Sequence, residues 1–250
     1  MKMNKIEKIV LCFSSILALF LFSPVSADAM HIMEGYLPFW HSVSWGMVCI
    51  PFLVLGFIRL RKMTAENRRA LILLAMSGAF VFVISSFKIP SVTGSSSHMA
   101  GTGLSAILFG VGITSVLAVI VLLFQAVLLA HGGITTLGAN TFSVGIFGPL
   151  FTVILYKTGK KFKINQSLNI FIAAALGGLF TYCITALQLA IAYPSDTGGV
   201  VASLFQFLAV FALPQIPLAF TEGLLTVLII IGMESFAKKE LKTISYMEGR

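Results

Sequence analysis

The chain has 250 residues, of which 58% are hydrophobic and 10% charged, with a formal net charge of +8 and a mean hydropathy of +0.99. Soluble domains carry about 25% charged residues, so this composition excludes a soluble globular domain and points to an integral membrane protein, whose apolar surface faces lipid rather than one small core. The basic excess lies in short segments between apolar runs, as a topology signal does, with no basic helix or aromatic platform for nucleic acid, and the isolated Cys12, Cys49 and Cys183 form neither a disulfide framework nor a CxxC metal site.

Residues 1–29 read as a cleaved signal peptide. Lys2, Lys5 and Lys8 give a positive start, Ile9 to Phe22 is an apolar run short for a span, and Ala27-Asp28-Ala29 is an A-x-A cut pattern. Cleavage after Ala29 makes Met30 the new N-terminus. A cut after Ala27 and an uncleaved anchor are the competing readings. Residues 30–250 then form one transmembrane domain that starts on the outer face.

The first expected span is Trp40 to Ile58. It ends at the basic segment Arg59 to Arg69, which the positive-inside rule puts in the cytoplasm. Leu71 to Phe87 returns outward to the Gly/Ser-rich loop Lys88 to Gly103. The apolar run Leu104 to Ala130 is followed by "HGGITTLGAN" (His131 to Asn140), a span from Thr141 to Tyr156, and the basic loop Lys157 to Asn165. Passing from outside at Gly103 to inside at Lys157 needs an odd number of crossings. Two crossings within Leu104 to Ala130, turning near Gly110-Val111-Gly112, meet that condition. The run is short for two full spans of about 20 residues each, so the first crossing starts near Gly94–Met99 or is a short re-entrant helix buried in protein. Leu168 to Tyr193 leads out to the turn Pro194 to Gly199. Val200 to Phe236, interrupted by Pro214 and Pro217, is expected as a short helix at the outer leaflet and then a span from Leu218 to Phe236, ending inside at Lys238 to Lys242. The expected fold is all-α: a polytopic helical membrane protein of about seven transmembrane helices, N-terminus outside and C-terminus cytoplasmic.

This threading gathers His31, His98 and the segment His131 to Asn140 on the outer side, with His41 at the start of the first span. A lone interfacial histidine is ordinarily a solvated or capping residue, but a cluster in a chain so poor in polar side chains suggests metal ligation. His31 carries the more specific signal. A histidine at position 2 of a free N-terminus chelates through the terminal amine of Met30, its own backbone nitrogen and ring Nδ1, closing five- and six-membered rings. A divalent cation promotes the loss of the backbone proton that this requires. A fourth nitrogen, assigned to His98 in its Gly/Ser-rich loop, completes a tetragonal set that suits Ni²⁺, Cu²⁺ or low-spin Co²⁺ better than Zn²⁺. Glu34, His131 and Asn140 are candidates for support behind these ligands, with Glu34 otherwise tying down the N-terminal segment. The Gly/Ser/Thr-rich stretches fit close helix packing as well as loops folding around a small substrate. Glu222, deep in the last span, is either structurally paired or coupled to protons.

These residues carry a family resemblance. "MHIMEGYLP" (Met30 to Pro38), "GSSSHMAGTGLSAILFG" (Gly94 to Gly110), "QAVLLAHGGITTLGANTFSVGIFGP" (Gln125 to Pro149) and "QIPLAFTEGLLTVL" (Gln215 to Leu228) cover nearly all of the expected mature chain. They resemble the CbiM/NikM family, the substrate-binding components of energy-coupling-factor cobalt and nickel transporters. The "HIMEG" start looks more like the cobalt branch than the nickel branch, where "HIPDG" is common. The resemblance implies capture of Co²⁺, or alternatively Ni²⁺, through Met30, His31 and His98, in a multi-pass protein of a bacterial-type cell (inner) membrane. It implies a CbiQ-like transmembrane coupling subunit, CbiO-like ATP-binding subunits and a CbiN-like small membrane protein as partners, with the cobalt feeding cobalamin biosynthesis. His98-Met99 departs from the His-Pro of many relatives.

No enzyme activity or resident cofactor is expected. The Gly159-Lys160 step has Ile154 where a phosphate-binding loop needs its first glycine, so ATP hydrolysis falls to partners. A stand-alone secondary transporter would call for inverted repeats and several intramembrane ionisable groups, of which only Glu222 stands out. An intramembrane metalloenzyme would need an HExxH-type spacing, which is absent.

Overall fold

The computed structural model describes residues 28–29, 31–87, 89–90 and 95–244. The expected signal peptide, apart from its last two residues, and Met30, the expected amine ligand, lie outside them. The helices are α1 (Phe39–Glu66), α2 (Ala70–Ser86), α3 (Thr102–Leu129), α4 (Leu137–Lys161), α5 (Gln166–Ala192), α6 (Gly199–Phe236) and the short α7 (Lys238–Thr243). Five of them, α1, α3, α4, α5 and α6, are long and apolar enough to cross a membrane, and α2 is a shorter apolar helix. The chain is a helical membrane protein.

α3 is broken at Gly110, whose backbone angles (φ 77°, ψ 174°) are non-helical. A straight helix of this length would separate its ends by about 42 Å, yet the rings of His98 and His131, which flank it, have centroids 4.5 Å apart. Its neighbours along α2 trace the path. Gly101 packs on Ile84, Leu108 clusters with Leu73, Leu117 lies against Gly78, and Gln125 bonds Ser85. The chain therefore runs down α2 over residues 102–109 and back up over 111–129. The first limb is buried almost throughout, with Leu104 and Ser105 at 1% and 0% exposure. This is a short buried helix that turns back near Gly110, as the re-entrant reading expected, and glycine makes the reversal because this backbone region is essentially closed to other residues.

Two expectations change in detail. The first turn of α4, Leu137–Asn140, comes from the segment expected as loop, and a π-helical stretch, Thr141–Phe147, follows it. α6 runs unbroken from Gly199 to Phe236 through Pro214 and Pro217, where a separate outer-leaflet helix was expected. Prolines are tolerated in such helices, and one turn past the second of them Thr221 Oγ1 donates to the Pro217 carbonyl at 2.9 Å.

Every Lys and Arg among the described residues lies in the last turns of α1 or the α1–α2 junction, in the last turns of α4 or the α4–α5 junction, or after α6. These segments share one end of the bundle, where Leu73, Leu108, Ile170, Ile230, Met233 and Leu241 form a core cluster. The opposite end holds His31, His98 and His131. There a three-stranded patch is ordered β1-β3-β2: β1 (Asp28–Ala29) parallel to β3 (Ser95–Ser97), and β2 (Ile89–Pro90) antiparallel to it. Asp28 faces Ser95 and Ala29 faces Ser96. The same offset carried forward sets His31 beside His98.

Candidate metal centre

Three loops deliver the histidines. His31 comes from the segment before α1, His98 from the stretch between β3 and α3, and His131 from the turn after α3. Their rings are mutually close, with centroids 4.5 Å apart for His31–His98, 4.6 Å for His31–His131 and 4.5 Å for His98–His131. All three are buried, at 1%, 0% and 1% exposure. One ring nitrogen from each lies within 4.8 Å of the others, the geometry of a metal-holding group. Three nitrogens on one divalent ion at bond lengths near 2.1 Å stand about 3.0–3.6 Å apart as neighbours, with at most one pair trans at about 4.2 Å, so the rings draw together when a cation binds. Three imidazolium charges at these distances would repel one another, whereas three lone pairs converge on a cation.

A main-chain contact sets the His98 ring. His98 Nδ1 lies 2.9 Å from the Met99 carbonyl oxygen. A carbonyl only accepts, so Nδ1 carries the proton and Nε2 the lone pair. The His98 carbonyl accepts from the Tyr182 hydroxyl and from Gln215 Nε2 at 3.5 Å. Glu222 accepts from the Ala100 amide at 3.0 Å and the Gly101 amide at 2.8 Å. It is structurally paired, through backbone amides.

His31 is placed by its neighbour Ile32. The Ile32 amide donates to Asn140 Oδ1 at 2.8 Å, and the Ile32 carbonyl accepts from Asn140 Nδ2 at 3.0 Å and Thr136 Oγ1 at 2.6 Å. Asn140 thus pairs with this peptide as a neighbouring strand would. Glu34 accepts from the Ile134 and Thr135 amides, and Gly35 donates to Thr135 Oγ1 at 3.1 Å. Hydrogen bonds hold the Glu34 carboxyl below its ordinary value, the Thr135 side chain first, opposed by desolvation and reinforced by the Thr135 and Ile134 amides.

The His-Gly-Gly step gains a reason. Gly132 adopts φ +77°, and a Cβ there would sit 3.3 Å from His31 Cβ; at Gly133 a Cβ would come within 2.5 Å of Glu34 Cα. Both glycines let the 31–35 segment lie against this turn. His131, read from sequence as a supporting residue, stands in the ring cluster itself. Asn140 and Glu34 hold the His31 segment, and His41 lies on α1 outside the group.

Tyr182 and Gln215 escaped the sequence reading. Gln215 had a signal, a polar side chain in an apolar run. Tyr182 had none that separates it from aromatic packing.

The family model described as "Cobalt uptake substrate-specific transmembrane region" (CbiM) matches residues 31–240. Cobalt transport protein CbiM of Lachnoclostridium phytofermentans is 55% identical over 247 residues, covering 99% of each chain. That of Chlorobium limicola is 55% identical over 227 residues, covering 91% of this chain and 89% of the relative. Two solved structures share the fold at 24% identity. A transition metal transporter has a TM-score of 0.68 over 87% of this chain and 98% of its own, and a truncated one scores 0.67 over 82% and 98%.

Proposed function

Because the chain belongs to the CbiM family of cobalt-uptake transmembrane proteins, we propose that it is the substrate-capture subunit of an ATP-driven energy-coupling-factor importer. The ion is Co²⁺, held as cargo at the histidine end, which the positive-inside rule turns outward. The capturing groups are the amine and peptide nitrogens at Met30 and His31, the His31 ring and His98 Nε2. His131 closes the site from the third side.

The convergence of three buried imidazoles from three loops carries the reading. Burial favours capture over surface adsorption, since an ion entering must exchange water for nitrogen ligands. The small, glycine-rich loops exclude larger solutes.

Met30 becomes an amine donor only if the leader is cut after Ala29. The leader then has two roles, export and creation of a ligand. The chain lacks a nucleotide loop, which leaves ATP hydrolysis to CbiO-like partners, with CbiQ-like and CbiN-like membrane subunits completing the importer and cobalamin biosynthesis receiving the metal. Imidazole and amine nitrogens also suit Ni²⁺, which the Irving–Williams order favours on affinity alone. Competition between the two ions on the purified protein discriminates them.

The test extends the processed chain by one residue before Met30. With every histidine retained, Co²⁺ affinity measured by titration calorimetry should collapse, as it should in His98→Ala. Native affinity in the extended protein would overturn the amine ligand. Failure of the unaltered protein to bind Co²⁺ would overturn the capture function.

A further inference from the structure

Among the described residues the mid-bundle holds one carboxylate, Glu222, at 1% exposure, and the capture chemistry above gives it no part. A buried carboxylate without compensation is costly. This one is compensated by the two amides that follow His98-Met99, those of Ala100 and Gly101. They lie at the start of the short descending limb of α3, where amides point out of the helix and a negative charge is favoured. Tyr182 and Gln215 grip the His98 carbonyl from α5 and α6. The loop from His98 to Gly101 is therefore held by three side chains, two of them on α6, with Pro214 and Pro217 between or beside them.

Resting on the capture function above, we propose that Glu222 is a positioning residue for the metal. Through the Ala100 and Gly101 amides it fixes the loop that presents His98 Nε2 to His31 and His131, and it ties the conformation of α6 to the strength of the site. The loop needs this. It follows a Gly/Ser-rich stretch, contains Gly101 at φ +74°, and must hold a ring within a few tenths of an ångström of a bond length. A freely rotating segment would bind the same ion far more weakly, because ordering it would cost entropy at the moment of capture. Gly178 on α5 belongs to the same arrangement. A Cβ there would stand 2.8 Å from Glu222 Oε2 and 3.3 Å from its carboxyl carbon, so this glycine leaves the space that the carboxylate occupies.

The test measures Co²⁺ binding to the purified, processed chain in detergent, using Co²⁺ alone as the probe. Glu222→Gln keeps shape but can accept from only one of the two amides, its NH₂ facing the other. Affinity should fall about 10- to 100-fold, the range for residues that orient metal ligands. Gly178→Ala leaves Glu222 in place but crowds its carboxylate, and should lower affinity in the same direction. Its thermal midpoint in detergent is read beside the affinity, so that a lower affinity in a protein still folded reports displacement of the carboxylate.

The decisive readout is spectroscopic. If Glu222 acts through His98, the visible spectrum of bound Co²⁺ shifts in Glu222→Gln as the His98 ligand field loosens. An unchanged spectrum, or native affinity in both Glu222→Gln and Gly178→Ala, would overturn the proposal. Absence of Co²⁺ binding by the unaltered chain would instead overturn the capture function on which it rests.

Discussion

Asn140 spends both ends of its amide on one peptide, Ile32, next to a proposed ligand. The pairing is buried, with Asn140 at 2% exposure. Replacing it with Leu leaves the Ile32 amide without its acceptor and its carbonyl with Thr136 alone. A buried group stripped of its partner costs about 1–3 kcal/mol. Asn140→Leu should therefore lower the melting temperature in detergent and weaken Co²⁺ binding together, both read on one purified sample. Glu34 acts by charge at an exposed position. Its folded value is depressed below 4.5, so its anchoring of the Ile134 and Thr135 amides is complete above that ordinary value and is lost as pH falls through the lowered one. Hydrogen exchange at these two amides, corrected for intrinsic rate, should stay protected near pH 4.5 and open only at more acid pH. In Glu34→Gln the protection should be weak throughout and its acid dependence absent. The histidines, Glu34 and Glu222 were legible as single residues, because an ionisable group in an apolar chain stands out. Tyr182 and the part played by Asn140 were not, since each depends on a partner over 80 residues away.

The element that decides the architecture is α3. Hydropathy reads residues 104–130 as one apolar run, and loop charge demands two crossings. Gly110 reconciles them by reversing the chain in a backbone region that L-residues avoid. Nothing lies within 4 Å of a Cβ built there, so Gly110→Ala tests conformation alone. It should destabilise by about 1–3 kcal/mol, read as a lower thermal midpoint in detergent. Gly232→Ala, also in open space but without a positive φ, should be neutral or slightly stabilising. α6 shows the opposite case. Its two prolines read as a break, yet the helix continues through both. Gly56 shows how closely the helices approach: a Cβ there would lie 2.0 Å from the Gly112 carbonyl oxygen. The glycine-rich composition thus serves packing between α1 and α3 and site formation at the His-Gly-Gly turn at once.

At the scale of the molecule, one end is basic and the other gathers histidines. That polarity follows from charge placement along the chain and needs no side-chain geometry to be seen. It bears on transport, because a capture site closed on one side must be opened on the other by something outside the site. The proposed function makes that agent ATP hydrolysis by partner subunits. Cobalt uptake by cells carrying this chain with its proposed partners should stop on ATP depletion, and cells carrying the chain alone should accumulate little. Uptake by the chain alone, undiminished without ATP, would mark a secondary transporter.

Composition and loop charge by themselves determined a helical membrane protein and the turn near Gly110. Those follow from local physics: apolar segments avoid water, and basic loops resist translocation. Only the tertiary structure decided that His131 joins His31 and His98, that Asn140 and Glu34 hold the N-terminal segment, and that Tyr182, Gln215 and Glu222 hold the His98 loop. Each of those contacts closes across tens of residues, and such closure is set by how α5 and α6 pack on the folded-back α3, which no local pattern encodes.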